Sequence, residues 1–366
     1  MKHKKKKIAF VIGALTPGGA ERVISTLSND LIEKFEVSII TFVKSDPFYR
    51  LDPRIRTIYC FDHIDKPSSI FHSLKLNYRI GKKITAIVKK EQIDLLIGFI
   101  TSANIIATIA AKFNGIPCLI SERNDPLKKG IPHLWILLRK RIYPMANNLI
   151  VQTEKVKAIY TKMLNSERIT VLPNPISSDL SKLRKTNGSR EKVILSVGRL
   201  NDDKRQDKII RAVHKLNIKD WRVILIGNGP NKKKLTALIE NYNLTEQIKI
   251  LSDIKDVDRY YNEASIFVFT SKAEGFPNVL LEAMHFGVPC ISTDCNFGPS
   301  DLIEDGVNGF LIPVDDQDKL TLKLEQLMNN ENLQTQFSES AIQTTKKYMS
   351  KEVTNQWEIL INRYLN

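Results

Sequence analysis

Short runs of Ile, Val and Leu recur along this chain, each handing over to glycine or a small polar residue and then to an amphipathic stretch. In the first half they are "IAFVIG", "EVSIITF", "IRTIYCF", "DLLIGF", "PCLISE" and "NLIVQT". Between them lie segments such as "AERVISTLSNDLIEK" and "SLKLNYRIGKKITAIVKKE". Continuous apolar runs of this length suit strands covered on both faces, which requires a parallel sheet with helical crossovers. The alternation stops at "VLPNPISSDLSKLRKTNGSREK" (171–192), where two prolines and Ser, Asn and Gly among charges read as a linker. It resumes in "VILSVGRL", "WRVILIGNG", "IKIL", "SIFVFTS", "PCIST" and "GFLIP". The 366 residues therefore divide into two α/β units, each a doubly wound parallel sheet, with ligands expected beyond the carboxyl ends of the strands.

Charge narrows the partners. Lys and Arg number 55 against 40 Asp and Glu, a net +15 that favours phosphorylated substrates, a phospholipid surface or nucleic acid. The four cysteines show no CxxC spacing, so neither a zinc site nor a disulfide framework is expected, and a reducing cytoplasm fits. The lysine-led start "MKHKKKKIAFVIGAL" reads as a first strand and not a signal peptide, having no A-x-A-like cleavage site. The uncharged stretch 95–111 is short for a membrane span, and Thr101, Ser102 and Asn104 break it where a strand would meet a helix cap.

Four stretches stand where strands end. In "TPGGAER", Gly18 and Gly19 allow backbone amides to approach a phosphate at a helix N-terminus; the alternative is a tight turn needing positive φ. This is not GxGxxG, which weakens a dinucleotide oxidoreductase. "GRLNDDK" places Arg199 and Lys204 beside a strand end, where they could grip a diphosphate. "GNGP" (227–230) repeats the strand–glycine–helix pattern. In "EGFPNVLLEA" (274–283), Asn278 can cap a helix, and Glu282 sits among apolar neighbours. A buried carboxylate is costly unless hydrogen-bonded, so Glu282 is either exposed on an amphipathic helix or faces a ligand rich in hydroxyls. "VDDQD" (314–318) comes nearest a D-x-D metal motif, but reads as a helix start.

With "GGAER", "GRLNDDK" and the E-x7-E spacing of Glu274 and Glu282, the chain resembles the retaining nucleotide-sugar glycosyltransferases of family 4 over nearly its whole length. "SERNDP" and "NFGPSDLI" are similar to bacterial members that build polysaccharides or lipid-linked oligosaccharides. The resemblance implies the GT-B architecture, two Rossmann-like domains facing a cleft. Residues 1–175 would be the acceptor domain, with a C-terminal helix at about 351–366 packing back on it. Residues 185–350 would bind the donor.

Carried over by position, Arg199 and Lys204 would hold the diphosphate and Glu274 the sugar hydroxyls, making these three the catalytic candidates. Gly275, Phe276, Pro277 and Asn278 would lie beside the sugar and β-phosphate, and Glu282 would take the ribose. Gly18, Gly19, Gly198, Asn228 and Gly229 complete the implied donor site. Glu122, Arg123 and Asn124 occupy the place where many members carry a histidine near the reacting sugar, and a guanidinium is no general base at neutral pH.

The expected activity is a metal-independent, retaining transfer of a hexose or N-acetylhexosamine, with no cofactor. The donor would be a nucleotide sugar, UDP-linked, and the acceptor a saccharide on a polyprenyl-diphosphate or lipid A-type lipid. The enzyme would work from the cytoplasmic face of an anionic membrane. A GT-B epimerase is the nearest rival, but would need acid/base carboxylates and histidines around the sugar. A nucleic-acid-binding protein would explain the charge but leave the strand-end loops without a purpose, and aromatic–basic interleaving is absent.

Overall fold

The computed structural model describes residues 5–65, 68–127, 133–185 and 188–365. It divides into two units, residues 1–175 with 350–366, and residues 176–349.

In the first unit the apolar runs become β1 (Lys7–Ile12), β2 (Glu36–Val43), β3 (Arg56–Phe61), β4 (Leu95–Phe99), β5 (Cys118–Ser121), β6 (Asn148–Val151) and β7 (Ile169–Val171). The crossovers are α1 (Gly19–Leu31), α2 (Ile70–Glu91), α3 (Thr101–Asn114), α4 (His133–Ile142) and α5 (Glu154–Tyr160). All neighbouring strands are parallel, in the order β3-β2-β1-β4-β5-β6-β7. The winding direction reverses between β1 and β4, where Ile8 lies opposite Leu95. One face of the sheet packs Phe10, Ile97, Phe99 and Leu119 against α1 and the C-terminal helix Ser350–Leu365, whose Trp357 is wholly buried. Trp357 stacks on Phe99 with centroids 5.9 Å apart.

The second unit starts with a short helix, α6 (Ser178–Lys182), inside the stretch expected to be a linker. Its Ser177 cap is why: the hydroxyl accepts from the Leu180 amide, and one turn follows. The strands are β8 (Glu191–Val197), β9 (Arg222–Ile226), β10 (Ile248–Leu251), β11 (Ala264–Phe269), β12 (Cys290–Thr293) and β13 (Phe310–Ile312). The helices are α7 (Asp207–Leu216), α8 (Lys232–Asn241), α9 (Val257–Glu263), α10 (Asn278–His285), α11 (Pro299–Leu302), α12 (Gln317–Met328) and α13 (Glu331–Thr345). The order is β10-β9-β8-β11-β12-β13, again all parallel, with the reversal between β8 and β11.

Successive residues of these strands feed opposite cores. Leu195 and Phe267 enter one with α10, while Ile194 and Ile266 enter the other with α7 and α12. That is the period-two consequence of a sheet covered on both faces.

Two expected caps differ. α3 is entered from Ile100 and not from Thr101 or Ser102, which lie within the helix or carry no cap bond. Ile100 takes φ 73° and ψ 151°, a region nearly reserved for glycine. It is held there because its amide donates to the Ser121 carbonyl at 3.0 Å while its carbonyl accepts from Asn104 at 2.9 Å. α10 begins at Asn278 itself, with Pro277 in the capping position, so Asn278 does not cap it. "VDDQD" is a helix start as read: the Asp316 carboxylate accepts from the Lys319 amide at the head of α12. All four cysteines are buried free thiols.

Candidate functional site

The reversal between β8 and β11 brings two loops side by side at the carboxyl ends of adjacent strands, the place where open α/β sheets bind ligands. One loop, after β8, carries Gly198, Arg199 and Lys204; the other, after β11, carries Glu274 to Asn278. They are tied together. Thr270 Oγ1 donates to the Lys204 carbonyl at 2.7 Å, and the Lys272 amide to the Asp203 carbonyl at 2.8 Å. Lys204 Nζ forms an ion pair with Glu274 Oε1 and stands 5.3 Å from the centre of the Phe269 ring. The side chains are 21% and 12% exposed, so this charge pair sits in a largely desolvated place. Arg199 is exposed and makes no ion pair among the described residues.

The third loop, after β9, explains its own glycines. A Cβ on Gly227, at φ 154°, would lie 1.9 Å from the Gly198 carbonyl oxygen, and one on Gly229 would lie 2.1 Å from that of Leu200. The loops nest through backbone bonds, Gly198 N–H to Ile226 O at 2.9 Å and Leu200 N–H to Asn228 O at 2.8 Å. Asn228 Nδ2 donates to Asp253 at 2.7 Å. "GNGP" therefore fixes the height of the Arg199 loop. Gly298 does the same for the other loop: at φ 98°, its missing Cβ would meet Pro277 Cδ at 2.2 Å. In "NFGPSDLI" the glycine before a proline is the sequence signal for this close backbone approach.

Glu282 is buried on α10 with Leu280, Leu281, Ala283 and Met284, only 5% exposed, which removes the exposed-helix alternative. Tyr261 Oη donates to its Oε2 at 3.3 Å. Cys295 is buried nearby; burial pushes its thiol up to about 12, and the Glu274 carboxylate pushes the same way. No reactive thiolate is on offer there.

In the first unit, Gly18 precedes α1 with φ −176°, extended backbone, so the positive-φ turn is not what its glycine serves. Instead the Glu21 carboxylate folds over it: a Cβ at Gly18 would lie 2.1 Å from Glu21 Oε2. Burial raises the Glu21 pKa, its own amide opposing. Gly19 is the first residue of α1.

At the end of β5, Glu122 turns inward, accepting from Tyr143 Oη at 2.7 Å, Thr101 Oγ1 at 3.0 Å and the Arg123 amide at 3.2 Å. Those three donors satisfy its carboxylate inside the unit. Asn124 is exposed. Arg123 is buried over the Phe99 and Trp357 rings, 5.1 and 5.7 Å from their centres. Its Nε donates to Ser121 Oγ at 2.7 Å and its Nη1 to Asn174 Oδ1 at 2.5 Å, while Nη2 has no partner among the described residues. Burial brings its pKa down to about 9, Glu122 opposing, so the guanidinium stays charged at neutral pH. Among the described residues, no three His, Cys, Asp or Glu side chains are grouped to hold a metal ion.

Two doubly wound parallel sheets in tandem are the GT-B architecture, the fold of the solved structures that superpose on this chain. The chain belongs to the glycosyltransferases of family 4: the model "Glycosyltransferase Family 4" matches residues 17–180, and "Glycosyl transferases group 1" matches residues 179–344. It is similar to the GalNAc-alpha-(1->4)-GalNAc-alpha-(1->3)-diNAcBac-PP-undecaprenol alpha-1,4-N-acetyl-D-galactosaminyltransferase of Campylobacter jejuni, 29% identical over 98% of this chain and 99% of that protein. The amylovoran biosynthesis glycosyltransferase AmsD of Erwinia amylovora is 24% identical over 98% and 99%. Among solved structures, Anabaena HepE in complex with UDP superposes with a TM-score of 0.79 over 98% of this chain and 100% of that one, at 19% identity, a likeness of fold.

Proposed function

We propose that the protein moves a hexose or N-acetylhexosamine from a UDP-sugar to a saccharide carried on a polyprenyl-diphosphate lipid, with retention of the anomeric configuration, in bacterial cell-surface glycan synthesis. The observation that carries the reading is the pairing of the Lys204 loop with the Glu274 loop at the β8/β11 reversal, with Glu282 buried behind them on α10. Arg199 and Lys204 supply two cations for a diphosphate, Glu274 accepts from sugar hydroxyls, and the Gly275–Asn278 backbone lies against the sugar phosphate. Glu282 accepts from the ribose diol, which offsets its desolvation. The undecaprenol-PP acceptor of the Campylobacter relative supports the lipid-linked acceptor, and UDP in the HepE complex supports the base.

In the transfer, the bond from the anomeric carbon to the β-phosphate oxygen breaks as the acceptor hydroxyl bonds on the same face. The acceptor proton passes to that phosphate oxygen. UDP leaves, its charge met by Arg199 and Lys204 with no metal ion required. No protein nucleophile takes part. Arg123, charged and with an unfilled Nη2, offers the acceptor-side unit a donor for a ligand oxygen. The enzyme works at the cytoplasmic face of an anionic membrane, on which its first unit docks.

The experiment is a thermal-shift series with UDP, GDP, ADP and their sugars, followed by proton NMR of the product formed in EDTA. A ligand at 100 times its Kd stabilises by about 2.7 kcal/mol. UDP compounds are expected to stand out, and an α-linked donor to give an α-linked product. An inverted product, or turnover only with added Mg²⁺ or Mn²⁺, would overturn the mechanism.

A further inference from the structure

Helices α2, α3 and α4 leave a groove between them on the first unit, a cavity of about 530 Å³. Its walls include Leu74 and Tyr78 of α2, Ile105 and Phe113 of α3, and Trp135 and Leu138 of α4. α2 turns one face to the core and another to the groove. Ile80, Ile84 and Val88 are buried, whereas Leu74, Tyr78, Lys82, Thr85 and Lys89 follow a second stripe at helical spacing along the groove. Large apolar side chains lie bare on the same helices, Phe71 at 83% exposure, Phe113 at 79% and Ile70 at 74%. An apolar patch of this kind on a folded unit marks a binding surface.

Charge selects the occupant. The three helices carry ten lysines and arginines against one acid, Glu91, and that acid is engaged by Arg56. Lys82 and Lys89 both line the groove and are both exposed, and Lys82 Nζ lies 5.8 Å from the centre of the Tyr78 ring on the same wall, so their aliphatic stems can extend the apolar surface while the charges stay accessible. Arg139 instead turns onto Tyr160, 5.7 Å from the ring centre, while Lys140 and Arg141 are exposed. An apolar groove with cations on its walls complements an acyl chain under an anionic headgroup.

We infer that this groove takes one acyl chain of an anionic membrane phospholipid, with the headgroup phosphate on Lys82 and Lys89. This rests on the membrane-docking part of the proposed function and extends it from adsorption on a surface to capture of a lipid chain.

Trp135 makes the groove observable, since the other two tryptophans, Trp221 and Trp357, are buried. The full chain is mixed with phosphatidylglycerol–phosphatidylcholine vesicles carrying a spin label either deep in the chain or near the headgroup. Tryptophan emission should be quenched more by the deep label, and Trp135→Phe should remove that quenching. Lys82→Glu with Lys89→Glu should weaken vesicle binding more than tenfold. Gly81→Leu fills the trough, since a Cβ there would stand 3.9 Å from Ile106, and should abolish deep quenching while vesicle binding persists. Binding with equal quenching by the two labels, or deep quenching unchanged in Gly81→Leu, would refute chain capture and leave surface docking standing. No binding to anionic vesicles would refute both. Concentration-dependent dimerisation that shields Trp135 without lipid would assign the groove to a second copy and refute the lipid. UDP titration of each variant reads the donor unit separately.

Discussion

Replacing Lys204 by Met keeps the aliphatic stem against Phe269 and removes only the ammonium, while Glu274→Gln keeps the shape of its partner and removes the carboxylate charge. The two changes should act oppositely on UDP. Two unit charges about 4 Å apart attract by about 4 kcal/mol at the effective dielectric of a partly buried site. That attraction holds Lys204 against Glu274, and a diphosphate bound as proposed would compete for the same cation. Glu274→Gln releases it. If about 1 kcal/mol of the attraction survives desolvation, UDP should bind about fivefold more tightly to this variant. The intact UDP-sugar should nevertheless turn over poorly, because the sugar hydroxyls lose their acceptor. Lys204→Met should weaken UDP and lower kcat/KM by about 10²–10³-fold, the scale for one preorganised donor to a developing negative charge. Calorimetric titration with UDP, initial rates with the UDP-sugar and a thermal melt of each variant separate binding, catalysis and folding. In the double variant the melting losses should be less than additive, since the pair is already broken. UDP affinity unchanged in Lys204→Met, or weakened about tenfold in Glu274→Gln, would refute the assignment of the cation to the diphosphate.

Glu282→Gln should weaken UDP and the UDP-sugar alike, by about tenfold, because a ribose contact is common to both; a loss confined to the sugar nucleotide, read by calorimetry, would move Glu282 away from the ribose. Gly227→Ala should destabilise the protein by about 2 kcal/mol or more in chemical denaturation, since its methyl would meet the Gly198 carbonyl at 1.9 Å and its φ of 154° disfavours a side chain. His285, buried with an Nε2 that has no partner among the described residues, has its pKa lowered from 6.5 to about 4, by burial first and then by Arg184. The unfolded chain therefore takes up this proton first as pH falls. Stability above pH 6.5 is unaffected and drops by roughly 3 kcal/mol from pH 6.5 to 4. His285→Phe should flatten that part of the pH–stability curve, and an unchanged slope would show that other groups produce it.

Most of the apolar runs were legible as strands because they are buried on both faces and rich in Ile, Val and Leu; the edge strand β3 was legible although Arg56, Thr57 and Tyr59 are exposed. β7 was not, for Ile169–Val171 runs straight into "LPNP", and the two prolines put its end into the stretch read as a linker. Strand order is invisible in such runs, since any buried parallel strand looks like any other. The neighbourhood of Lys204 and Glu274, 70 residues apart, follows from the reversal between β8 and β11 and could be reached from sequence only through the family resemblance. Helix starts failed for a local reason. Asn278 and Thr101 are good capping residues by type, but Pro277 and the positive-φ Ile100 set the chain direction one residue earlier. Glu122 and Arg123 were visible only as polar residues after a strand. That one turns inward to Tyr143 and the other lies over Trp357 depends on side chains far away in sequence.

Trp357 and its neighbours Val353, Leu360 and Ile361 complete the first unit's core, yet they follow the entire second unit along the chain. During synthesis the sheet β1–β7 emerges early and must wait, with Phe99 open to water on one side, while some 170 residues of the other unit are made and fold. For that interval the nascent chain presents a sticky apolar face, and slow translation or a stalled ribosome lengthens it. Chaperone demand for this protein should accordingly peak before the last helix is released and fall once Trp357 closes over Arg123.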